Sequence, residues 1–168
     1  MKSVCMTVFL ASVVFLSSCQ QQASEQAEAQ PEPAVANTAE VEAIFPQGQK
    51  GSEEYFTGNA YNYGLVSNDS VYTMLSGNVY FEPGARSNWH SNPAGQILMI
   101  TSGEGYHQIK GQPKQRLKKG DVVQCPPNAK HWHGASEDVG MQQIYIIPNT
   151  EKGIVEWMEP VTDAQYAN

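Results

Sequence analysis

The residues best able to do chemistry in this chain are its histidines, and all but one of them sit in two short stretches. The first runs from Gly84 through Arg86, Trp89, His90, Asn92, Pro93 and Gln96 to Gly103. The second runs from Gly120 and Asp121 through Cys125, Pro126, Asn128 and Lys130 to His131, Trp132 and His133. On a strand, side chains two apart share a face. His90 and Asn92 can therefore enter one space, as can His131 and His133. Pro93-Ala94-Gly95 supplies a short loop that returns Gln96 to the same side. Imidazoles gathered with an amide oxygen make a site for a borderline divalent metal such as Mn, Fe, Ni or Zn. The plain alternative is a set of polar residues at a barrel mouth.

The elements that must position these groups read as strands. Apolar or alternating runs recur at Tyr55–Thr57, Asn59–Val66, Tyr72–Phe81, Gln96–Thr101, Tyr106–Ile109, Val122–Cys125 and Met141–Ile147. Turn-forming residues punctuate them at Glu82-Pro83-Gly84, Ser102-Gly103-Glu104-Gly105 and Pro126-Pro127-Asn128. Short strands at this spacing predict an all-β sandwich, barrel or jelly roll. A short helix is expected at Val161–Tyr166. His107 alternates with Tyr106, so only one of the two can face the interior. Cys125, on a strand pattern, reads as a buried small hydrophobe. Arg86 is expected in a solvent-facing ion pair rather than as an anchor for an anionic substrate. Trp89, Trp132 and Tyr145 read as core or pocket lining.

The two histidine stretches resemble the two motifs of the cupin family, G-x5-H-x-H-x3,4-E-x6-G and G-x5-P-x-G-x2-H-x3-N. Gly84, His90, Asn92, Gln96 and Gly103 stand at the spacing of the first, and Gly120, Pro126 and His131 at that of the second. Wording such as Pro93-Ala94-Gly95-Gln96 and Lys130-His131-Trp132-His133-Gly134 is similar to a subgroup of small bacterial cupins that includes manganese-dependent hydroxynitrile lyases. The resemblance implies a double-stranded β-helix, or jelly-roll barrel, over residues 44–168. It implies a divalent metal, Mn or Fe, held by His90, Asn92, Gln96 and His131, and a homodimer. His133, beyond the motif position, is the candidate general base. Asn92 stands where the family has His and offers only an amide oxygen, a weaker ligand for Zn or Ni. Asn128 replaces a glycine and can adopt the left-handed backbone conformation a turn requires.

Two functional classes follow. One is a metal-dependent enzyme on a small organic molecule, by resemblance a carbon–carbon lyase of the hydroxynitrile lyase type, with oxygenase or isomerase chemistry as alternatives. The other is a non-catalytic cupin that binds a small molecule at a weakened metal site. Ten basic against seventeen acidic residues, a formal charge of −7 in 168 residues, argue against a nucleic-acid partner.

The N-terminus reads as an address. Lys2 precedes an apolar run from Val4 to Leu16 that is too short to span a bilayer comfortably and ends in Leu16-Ser17-Ser18-Cys19. This resembles a bacterial lipobox. It predicts a signal peptide over residues 1–18, lipidation of Cys19, and export to the cell envelope, at the outer membrane of a Gram-negative host. Residues 19–43 are acidic and rich in Gln, Ala and Pro, with no aromatic or basic residue, and read as a disordered tether. With Cys5 in the signal and Cys19 lipidated, Cys125 has no partner for a disulfide.

Overall fold

The computed structural model describes residues 43–168. The expected signal segment, Cys19 and nearly all of the tether lie outside the described residues. Twelve strands frame the described residues: β1 (Gln49–Lys50), β2 (Phe56–Thr57), β3 (Ala60–Val66), β4 (Met74–Phe81), β5 (Arg86–Ser87), β6 (His90–Ser91), β7 (Gln96–Ile109), β8 (Gln115–Lys118), β9 (Val122–Cys125), β10 (His131–Ala135), β11 (Met141–Pro148) and β12 (Glu156–Trp157). A 3-10 turn at Thr150–Lys152 precedes β12, and helix α1 (Asp163–Ala167) closes the chain. All strand pairs are antiparallel, and the sheet curls into the jelly-roll form that the strand spacing predicts.

The strand β7 holds the two faces together. Its first half pairs with β9 and β11, and through β11 with β4, β3 and β1. Its second half pairs with β8 and β10, and β10 carries β5 with β2, and β6 with β12. The sequence reading placed a turn at Ser102–Gly105. The structure corrects this, because the strand runs straight through. Gly103 and Gly105 are needed there for close approach. A Cβ on Gly103 would lie 1.8 Å from the Gly140 carbonyl oxygen, and one on Gly105 would lie 2.1 Å from that of Gly134. A shift of register between Gln142 and Gln143 marks the same crossing, where one extra residue lets the strand bend between faces.

The interior has two parts. Phe81, Leu98, Ile100, Leu117, Val123 and Met141 fill the space between the sheet faces. Phe81 and Leu98 are fully buried, each contributing about 1.5–3 kcal/mol by area removed from water. A second cluster, Trp89, Trp132, Val161 and Tyr166, lies under the C-terminal segment. Every residue of β10 is therefore buried, with His131 and His133 toward the cavity and Trp132 toward this second cluster. Helix α1 is held by a capping box on Thr162 and Gln165. Arg86 is not solvent-facing as expected. It is buried, donates to the Val161 carbonyl and to Asp163 (2.6 Å), and lies over the Tyr166 ring. Its charge fastens the C-terminal segment to β5.

Candidate metal centre

Three imidazoles converge from two strands. His90 on β6 and His131 on β10 are directly paired in register, and His133 follows His131 at the two-residue repeat. One ring nitrogen from each lies within 4.8 Å of the other two. Backbone carbonyls fix two of the rings. His90 Nδ1 faces the Asn88 carbonyl at 2.9 Å, and His131 Nδ1 faces that of Ala129 at 2.8 Å. Each Nδ1 must carry the proton to donate there, which leaves Nε2 with a free electron pair. This is the tautomer that metal-binding histidines use. Burial pushes His90 down to about 3, helped by the neighbouring His131. Burial also lowers His131 and holds His133 well below the ordinary range, so the cluster is neutral at pH 7.

The unpaired atoms argue for a cation. Gln96 Oε1 stands 2.9 Å from His131 Nε2, although both present electron pairs once Nδ1 holds the proton. Two acceptors that close, with no proton to share, call for a cation between them. Asn92 donates through Nδ2 to the Ile154 carbonyl at 2.7 Å, leaving its Oδ1 buried and unpartnered. His133 Nε2 is also buried without a partner. A buried acceptor without a partner, such as Asn92 Oδ1, is rare in protein interiors. Nitrogen from imidazole and oxygen from neutral amides suit a borderline first-row divalent ion, so the residues present fit such a group.

The cluster opens on a cavity of about 410 Å³. His90, Asn92, Gln96 and His133 reach its surface, and Leu75, Val79, Tyr145, Ile147, Ile154 and Trp157 make its walls. Trp157 also packs against His90, at 5.0 Å between ring centroids, and stacks with Tyr55 at 4.8 Å. His107 is the inward member of its pair. It turns Nε2 to Cys125 Sγ at 3.1 Å, and burial pushes that thiol up to about 12. Cys125 is accordingly an inert buried group. Tyr106 packs outward on Tyr166.

The structure thus brings His90, Asn92, Gln96, His131 and His133 into one place. His131 and His133, two apart on β10, both bring a ring nitrogen to the cluster. The sequence reading missed Gln143, whose amide nitrogen lies 2.9 Å from His133 Nδ1, and Trp157, the ring over His90. The pair Gln142-Gln143 opening an otherwise apolar strand was a signal for the first. Nothing in the sequence pointed to the second.

Known proteins are similar to this chain in sequence and in fold. The cupin domain model matches residues 77–147. An (R)-mandelonitrile lyase of Granulicella tundricola is 39% identical over 117 residues, covering 70% of this chain and 89% of that protein. A cupin-like protein from Thermotoga maritima is 46% identical, with a TM-score of 0.73 over 74% of this chain and 95% of that one. A cupin-2 domain from Rhodospirillum rubrum shares the fold at 19% identity, with a TM-score of 0.58 over 75% of this chain and 83% of that one. With both motif histidines at the paired positions of β6 and β10 and a relative this similar over most of its length, the chain belongs to the cupin family.

Proposed function

We propose that this cupin is a metal-dependent lyase that makes or breaks a carbon–carbon bond next to a hydroxyl in a small, largely apolar molecule. The observation that carries the reading is the cluster of neutral electron-pair donors opening on a cavity with apolar walls. The name of the 39% identical relative, (R)-mandelonitrile lyase, supports the reaction class. His90, Gln96 and His131 would hold the ion, with Asn92 Oδ1 as a weaker oxygen donor. Mn or Fe suits that mixed set better than Zn does. When bound, the ion supplies Lewis acidity toward a substrate oxygen.

The chain's own residues supply the rest. Leu75, Val79, Ile147, Ile154 and Trp157 exclude water and take an apolar or aromatic group. Tyr145, opposite Gly77, brings a hydroxyl to the cavity. A Cβ on Gly77 would collide with that hydroxyl at 2.5 Å, so the glycine is what lets the tyrosine ring lie against β4. His133 also faces the cavity. The ring nitrogen a base would use is the one in the cluster, so a single His133 cannot serve as ligand and as base at once.

Elemental analysis of the purified chain, with an assay of benzaldehyde release from mandelonitrile, tests the proposal. About one Mn or Fe per chain together with metal-dependent release supports it. A loaded but inactive protein favours the second reading, a binding cupin, which the tying of Asn92 to Ile154 would suit. We further propose that Cys19 carries a lipid that tethers the domain to a membrane, on the strength of Leu16-Ser17-Ser18-Cys19.

A further inference from the structure

We propose that Gln143 is the positioning residue that admits His133 to the donor set, by fixing which of its ring nitrogens carries the proton. The inference rests on the reading of the cluster as a metal centre. His90 and His131 have their tautomers set by backbone carbonyls, which can only accept. His133 has no such carbonyl. Its Nδ1 meets a side-chain amide, which can accept or donate according to the end it presents. In the structure the amide nitrogen faces Nδ1 at 2.9 Å. A neutral imidazole carries one proton, so Nδ1 accepts here and the proton sits on Nε2. That places an N–H among the ring nitrogens of the cluster.

This arrangement has a cost. Both His133 Nε2 and Gln143 Oε1 are buried and unpartnered. A half-turn of the amide brings Oε1 to Nδ1, which then donates, and frees the electron pair on Nε2. The turn moves no backbone and keeps the Gln143–His133 bond. Gln143 is fully buried on β11, paired opposite Val79 and Ile100, so its stem is held while its amide can turn. The ion then takes nitrogen from His90, His131 and His133 and oxygen from Gln96. Three imidazoles replace the set in which Asn92 was the fourth ligand. Asn92 is left in the role its bond to Ile154 already gives it, holding the segment before β12.

The test is divalent-ion affinity of the full chain, measured with Mn(II) and with Zn(II) by competition against a chelator. Gln143→Met removes both hydrogen-bonding ends at similar volume and should weaken binding roughly 10–100-fold, as loss of a partner behind a ligating histidine does. Gln143→Glu can only accept, and should retain or tighten binding. His133→Ala should weaken binding at least as much as Gln143→Met. A merely structural Gln143 would lower the melting temperature in both variants without separating their affinities. Should either variant fail to fold, nitrogen-15 spectra of the zinc-loaded wild type decide directly. The inference requires His133 to be protonated at Nδ1 and shifted by metal at Nε2, and a proton on Nε2 overturns it. A wild type that binds no divalent ion overturns the metal reading along with this inference. A wild type that binds, with Gln143→Met unaltered, overturns this inference alone.

Discussion

Acidification of the metal-free protein from pH 7.5 to 5.0 should destabilise it by several kcal/mol, because its described histidines are all buried without charge. His90, His107, His131 and His133 are each 5% exposed or less. Burial, seconded by His131, pushes His90 down to about 3 and His107 down to about 4. These folded-state values lie below the unfolded value of about 6.5. Above pH 6.5 neither state holds the protons and the linkage costs nothing. Below it the unfolded chain takes them up while the folded chain does not. Stability is therefore lost as pH falls through the window from about 6.5 down to about 4 for His107 and about 3 for His90. At pH 5.0 the loss is about 2 kcal/mol for each, or about 4 kcal/mol for the pair. His131 and His133, also lowered by burial, act in the same direction. Against a usual total of about 5–15 kcal/mol this is a large share. Urea denaturation of chelator-stripped protein at half-unit steps measures it. A decline of less than about 1 kcal/mol between pH 7.5 and 5.0 would mean that the histidines are hydrated and charged, and the packed neutral cluster would be wrong.

Three further outcomes follow. Asn92→His tests which fourth ligand the ion takes: a rise of about tenfold in divalent-ion affinity by chelator competition puts position 92 in the donor set, whereas unchanged affinity leaves that place to His133, with Asn92 tied to Ile154. Gly105→Ala puts a methyl 2.1 Å from the Gly134 carbonyl oxygen and should cost about 1–3 kcal/mol, a fall of at least about 4 °C in Tm, whereas Gly64→Ala, with nothing within 4 Å, should melt like the wild type. Cys19→Ala should move the protein from the membrane fraction to the soluble fraction of the producing cells, and retention in the membrane fraction would remove the lipid anchor from the proposal.

What the sequence made legible was local. His90, Gln96 and His131 stand at fixed distances from turn glycines, so their spacing survives as a motif. The turn at Asn128 was readable because the required left-handed backbone, φ 58°, limits the residues that fit. The C-terminal helix was foreseen at Val161–Tyr166 and lies at Asp163–Ala167, where the Thr162 capping box sets its start. The rest depends on contacts between distant segments. Gly103 and Gly105 looked like turn residues because glycine has two uses, and only the crossing of β7 beneath Gly134 and Gly140 tells which applies. Arg86 looked exposed until the carbonyl of Val161 and the carboxylate of Asp163, far along the chain, came to meet it. Gln143 reaches the cluster across the sheet, and Trp157 reaches it from near the end of the chain.

The last fifteen residues have a consequence for the completeness of the site. Ile154 gives Asn92 its carbonyl, Trp157 lies on His90, Glu159 reaches Lys130 at 2.5 Å, and Asp163 neutralises Arg86. Every ring of the cluster is already present in a chain that stops at Gly153, yet one wall of the cavity and the cover of its histidines are not. Without them the histidines would stand open to solvent on the side that Trp157 covers. The final fifteen residues therefore complete the site, and a chain that lost them would keep the rings of the cluster without the wall that Ile154 and Trp157 give the cavity.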